Sequence, residues 1–119
     1  MKYTNLFMVR SDTFGFDIVI EGLDEDLTSA YFSCRKDYNT TPVTYVFQKS
    51  LGDGITKVDT GETNSRQYHI QTDPSDTQNV ELGDYYYDVE ITAKGEVFTP
   101  LRGTFQIGYD VTRPSGGSV

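Results

Sequence analysis

The feature that most constrains this chain is a strict two-residue alternation. In Phe14-Gly15-Phe16-Asp17-Ile18-Val19-Ile20-Glu21, Phe14, Phe16, Ile18 and Ile20 share one parity, while Gly15, Asp17 and Glu21 share the other. A period of two places successive side chains on opposite faces of a strand, so the apolar set faces a core and the polar set faces water. Tyr85-Tyr86-Tyr87-Asp88-Val89-Glu90-Ile91 repeats the pattern, with Tyr85, Tyr87, Val89 and Ile91 inward and Asp88 and Glu90 outward. A helix needs apolar residues at three- and four-residue spacing, and no long amphipathic helix is visible.

Other runs extend the β reading. Ala30, Phe32 and Cys34 face one way, and Tyr31, Ser33 and Arg35 the other. Tyr45–Lys49 is short and aromatic, Tyr68, Ile70 and Thr72 oppose Gln67, His69 and Gln71, and Leu6-Phe7-Met8-Val9 adds an N-terminal strand. Val97, Leu101, Phe105 and Ile107 share a parity in a long final strand, where Pro100, unable to donate to a ladder, belongs at an edge, a bulge or a sheet switch. Gly52-Asp53-Gly54 offers positive φ for a tight reversal, Lys94-Gly95 a hairpin, and Asp59–Ser65 a polar loop. The one helical signal is Asp73-Pro74-Ser75-Asp76, an N-cap, a proline at the first position and an acid in the first turn, enough for one turn through Val80. Seven or eight antiparallel strands with turns between them predict an all-β domain, most simply an immunoglobulin-like sandwich over residues 1–112, with a flexible Pro/Ser/Gly tail at 113–119. Leu82-Gly83-Asp84-Tyr85 opens a strong strand after a short turn, the setting of a tyrosine corner for Tyr85 or Tyr87. With no Trp and one Cys, the antibody Cys–Trp–Cys signature is absent.

A length of 119 residues fits one domain with one core. With 18 acidic against 10 basic residues and a net charge of −8, nucleic acid and anionic membrane surfaces are unexpected partners. No apolar run approaches the ~20 residues of a membrane span, and no signal peptide is expected from the mixed residues after Met1. The single Cys34 excludes an internal disulfide and any cysteine-based metal cluster, which suits a reducing cytoplasm.

Chemistry is thin along the chain. Cys34 and His69 are the residue types of a thiol nucleophile pair, but their parities place them on opposite faces, and an inward thiol acts as a small hydrophobe. Asp24-Glu25-Asp26 has carboxylates suited to calcium but lacks the glycine and distal glutamate of an EF-hand, so a solvated connection is the plainer reading. Gly52-Asp53-Gly54 lacks the Lys-Ser/Thr of a phosphate loop. No catalytic residue, cofactor or metal ligand is assigned. Tyr31, Tyr38, Tyr45 and Tyr86 are candidate exposed aromatics that could stack on sugars, anchor a protein, or simply pack across strands.

The order of these segments resembles small immunoglobulin-like proteins of tailed bacteriophages and prophages. The resemblance spans residues 9–112 and is carried by Ser11–Ile18, Leu27–Phe32, Phe47–Ile55, Asp73–Thr77, Leu82–Val89, Leu101–Phe105 and Asp110-Val111-Thr112. The family form opens with Arg/Lys-Gly-Asp; here Arg10-Ser11-Asp12 puts serine in the glycine position. The resemblance implies a non-enzymatic virion component (capsid decoration, head fibre or tail/baseplate) made in the bacterial cytoplasm, docking on other virion proteins or on copies of itself. Leu6, Phe7, Met8, Tyr31, Tyr45 and Tyr86 are the expected partner-binding residues, and Leu82, Gly83, Tyr85 and Tyr87 the structural ones. The alternative is a carbohydrate- or host-surface-binding module of a fibre or tail.

Overall fold

A computed structural model describes residues 1–37 and 43–109. Tyr38, Asp110-Val111-Thr112 and the tail expected at 113–119 lie outside the described residues. The fold is all-β: β1 (Lys2–Tyr3), β2 (Leu6–Val9), β3 (Gly15–Glu21), β4 (Ser29–Arg35), β5 (Phe47–Leu51), β6 (Gly54–Val58), β7 (Ser65–Gln71), β8 (Gly83–Ala93) and β9 (Glu96–Gly108). They form one curled sheet in the order β1-β9-β8-β4-β5-β6-β7-β3, with β2 also on β9.

The expectation of seven or eight antiparallel strands is corrected to nine strands among the described residues, in a mixed sheet. β1 and β2 pair with β9 in parallel, Lys2 opposite Leu101 and Leu6 opposite Phe105. Apolar alternation fixes which face a strand buries but not the direction of its neighbour. Gly52 and Gly54 take positive φ, 81° and 93°, and the Asp53 N–H donates back to the Ser50 carbonyl at 2.8 Å in a tight turn, yet the strands on either side of it do not run antiparallel. β5 and β6 pair in parallel across this coil, where the chain passes from one limb of the sheet to the other. At Gly54 a Cβ would also lie 2.8 Å from the Gln71 carbonyl oxygen, so glycine is demanded by space as well as by φ.

The curl lays the β3–β7–β6 limb over the β5–β4–β8–β9 limb, and aromatic rings fill the space between. Phe16 meets Phe32 edge-on at 5.3 Å between centroids, and Phe14 meets Phe105 at 5.4 Å. Phe32, Ile55, Ile70, Val89 and Phe105 are fully buried; each such side chain stabilises by about 1.5–3 kcal/mol. The inward parities of β3, β4, β7 and β8 are those of the alternation.

Local devices set the turns. Lys94 and Gly95, at φ 53° and 76°, close the β8–β9 hairpin with Ala93 opposite Glu96. Val89 faces Leu101 and Ile91 faces Phe98, so Glu90 alone opposes Thr99 and Pro100: the proline sits in a β-bulge. The extra residue flips parity beyond the bulge, which corrects the expectation that Val97 faces inward with Leu101, Phe105 and Ile107; Val97 is exposed. Pro74–Asp76 forms a single 3-10 turn, and the Asp76 carboxylate accepts the Asp73 N–H at 2.7 Å. Ser11 takes φ 68°.

Candidate functional site

The strands that build the most developed surface are β4, β5, β8 and β9, whose inward residues form the core and whose outward residues form a cleft of about 790 Å³. Register brings the outward residues into rows. Tyr31 stands opposite Glu90, Ser33 opposite Asp88, and Arg35 opposite Tyr86 on β4 and β8. Asp88 in turn stands opposite Arg102 on β9, and Tyr3 of β1 pairs with Arg102 from the other side. Tyr45, just before β5, closes the remaining wall.

Tyr31, Tyr45 and Tyr86, singled out from sequence as exposed aromatics, thus share one cleft, with exposures of 39%, 47% and 38%. The alternation does not single out Tyr3, Arg35 and Arg102, and it marks Asp88 and Glu90 only as outward-facing. A signal was present, because Tyr31, Ser33 and Arg35 share outward parity, as do Tyr86, Asp88 and Glu90. What joins the two sets is the β4–β8 register, which alternation does not encode.

The cleft floor is polar and half-enclosed. Burial raises the Asp88 pKa above the ordinary carboxylate value, and Glu90 adds to it, with Arg102 and Arg35 opposing. Gln48 donates through Nε2 to Ser33 Oγ at 2.9 Å. Asp88, Glu90 and Arg102 make no side-chain hydrogen bond or ion pair among the described residues.

The other expected partner residues divide by parity. Phe7 is exposed, but Met8 is buried in the core and Leu6 is half-buried against it. Met8 is therefore corrected from a docking residue to a core residue, while Leu6 packs only partly against that core: outward and inward positions alternate along β2, so a run of three cannot all face a partner. Tyr85 donates its hydroxyl to the Glu81 carbonyl at 2.5 Å, the bond of a tyrosine corner. Tyr87 donates to the Thr4 carbonyl at 2.7 Å, tying down the β1–β2 link. Leu82 packs half-buried on the core, and Gly83 opens β8 at φ 144°.

The remaining chemical candidates are engaged elsewhere. Cys34 is fully buried and its thiol is pushed up to about 12 by burial. His69 binds Asp17 through Nδ1 at 2.5 Å and Gln71 through Nε2 at 3.1 Å, on β7, which is not a neighbour of β4. Two of the three acids at 24–26 are paired with cations, Asp24 with Lys94 at 2.6 Å, and Asp26 with Lys57 at 2.9 Å and Arg66 at 3.0 Å. Among the described residues no group of three or more His, Cys, Asp or Glu is placed to hold a metal ion.

A second cleft, of about 780 Å³, opens where the β8–β9 hairpin meets the end of β3. It is lined by Met1, Ile20, Leu23, Val97, Phe98 and Pro100, with Val97 and Phe98 well exposed. No protein-family model matches the chain, and no curated protein matches it.

Proposed function

We propose that this chain is a non-enzymatic structural component of a bacteriophage virion, acting through protein–protein contacts, with an immunoglobulin-like arrangement of its two sheet limbs. The virion setting rests on the resemblance in segment order. The immunoglobulin-like reading is supported by the facing limbs and by the Tyr85–Glu81 bond.

The observation that carries the contact role is the apolar cleft around Val97 and Phe98. A chain of charge −8 repels its own copies, so any association needs a local apolar patch. Here two exposed apolar side chains at a hairpin tip sit beside Ile20 and Leu23, a surface that gains from being covered.

The test is to purify particles of the phage or induced prophage that encodes the chain, and to quantify it by mass spectrometry. The wild-type chain should be present at stoichiometric level, and a Val97→Asp, Phe98→Asp variant should fold yet be depleted from particles. Particles that lack the wild-type chain would overturn the reading.

A further inference from the structure

We infer that the tyrosine-walled cleft on the outer face of β4, β5, β8 and β9 is a binding site for a neutral oligosaccharide. This site is separate from the apolar cleft at the hairpin tip and does not depend on the virion reading.

The first argument is the state of its groups. Tyr3, Tyr31 and Tyr45 have hydroxyls in no hydrogen bond and rings in no aromatic pair among the described residues. By contrast, the buried Tyr68, Tyr85 and Tyr87 all spend their hydroxyls on backbone partners. Tyr3, Tyr31 and Tyr45 thus make no such bond or ring pair within the described fold, and exposed aromatic surface of this kind marks a binding face.

The second argument is charge. The floor carries two carboxylates, Asp88 and Glu90, and two guanidiniums, Arg35 and Arg102, so it is balanced. A polyanion such as nucleic acid needs an excess of cations, and the chain as a whole repels it. A purely apolar ligand would bury Asp88, Glu90 and Arg102 without partners.

The third argument is backbone. β4 is paired with both β5 and β8, and β8 with both β4 and β9. β4 and β8 therefore offer the cleft no free edge, and an extended peptide cannot add to either of them through main-chain hydrogen bonds. What suits the site is a ligand with flat apolar faces and a rim of hydroxyls. Pyranose faces lie on tyrosine rings, and the hydroxyls donate to Asp88 and Glu90 and accept from Arg102. The volume of about 790 Å³ falls within the ~300–1,000 Å³ of small-ligand sites.

The test titrates the whole chain by calorimetry and by NMR with maltohexaose, cellohexaose and chitohexaose, with oligogalacturonate as the acidic counterpart. At least one neutral hexamer should bind with a Kd of about 1 mM or tighter. Tyr31→Ala and Tyr86→Ala should each weaken it by about tenfold, since one aromatic stacking contact is worth that much. Asp88→Asn should weaken it as well, while Tyr109→Ala, an exposed tyrosine outside the cleft, should leave it unchanged. Circular dichroism checks that each variant folds. Absence of binding to all three neutral hexamers, preference for oligogalacturonate, or binding that survives both tyrosine variants would overturn the inference. So would capture of a virion protein through Tyr31 and Tyr86 with no saccharide bound.

Discussion

Gly103 and Thr4 lie against each other so closely that a Cβ on the glycine would stand 2.0 Å from the Thr4 carbonyl oxygen. That same carbonyl accepts the Tyr87 hydroxyl, and the Thr4 N–H donates to Arg102 at 2.8 Å. The glycine is thus the seat of the link between β1 and β2. Gly103→Ala should destabilise the chain by about 1–3 kcal/mol, because backbone rather than a flexible side chain must move. Denaturant unfolding measures the loss, and hydrogen exchange should show it concentrated at residues 2–9. An unchanged midpoint would mean that the link shifts freely.

Lys49 is a buried cation, 6% exposed, with its Nζ 2.7 Å from Asp76 and 3.5 Å from Asp73. Burial lowers its pKa, but the two carboxylates outweigh that and leave it raised. Asp76→Asn strands the ammonium and also weakens the cap on the Asp73 N–H, so it should cost about 2–3 kcal/mol. Lys49→Met should cost less, since it removes the charge that needs compensation while keeping the packed stem. Equal losses in thermal or chemical denaturation would contradict this asymmetry.

Ser11 takes a left-handed conformation at φ 68°, where a Cβ is strained. Ser11→Gly should stabilise the chain by about 1 kcal/mol or less, the relief of strain being offset by the freer unfolded chain. The Ser11 N–H bond to Thr77 Oγ1 at 2.9 Å uses backbone and survives the change. A drop in melting temperature for the glycine variant would argue against the account.

The exposed Asp17–His69 pair makes a small pH-dependent contribution. The bond to Asp17, then that to Gln71, raises the His69 pKa from its ordinary 6.5. Bonds from His69 and Gln67 lower that of Asp17 from 3.8. The His69 share is complete below pH 6.5 and fades as pH rises through its raised value. The Asp17 share is complete above pH 3.8 and fades as pH falls through its lowered value. The pair is therefore fully favourable between these limits and, being exposed, is worth under about 1 kcal/mol. In an NMR titration, Asp17→Asn should bring the His69 midpoint back toward 6.5.

Cys34, fully buried with its thiol raised to about 12, should not react with a disulfide reagent in the native state near neutral pH. Labelling should proceed only through unfolding, so its rate should follow denaturant concentration. Fast native labelling would place the thiol outside the core.

Faces were legible in the sequence where neighbours were not. Ile18, Phe32, Tyr68 and Val89 are buried on the parity the alternation indicated, because burial of one face is a local pattern. The parallel seat of Leu6–Val9 on β9 depends on residues almost a hundred positions away, and nothing local records it. Lys49 reads as an ordinary strand lysine until Asp73 and Asp76 arrive from another limb to neutralise it. The cleft was half legible. Tyr31 and Tyr86 declared their exposure by parity, but only the pairing of β4, β8 and β9 sets them beside Asp88 and Arg102.

The parallel ladder of β1 and β2 on β9 also has a mechanical meaning. Residue 2 pairs with residue 101 and residue 9 with residue 108, so the chain enters at one end of the ladder and leaves, at residue 109, from the other. A pull applied at residues 1 and 109 draws the two strands past each other along their length. Their hydrogen bonds are then loaded together rather than opened one after another, as they would be in an antiparallel hairpin pulled at its free ends. A domain built this way resists tension best along the line joining its ends, the direction in which a link in series is strained.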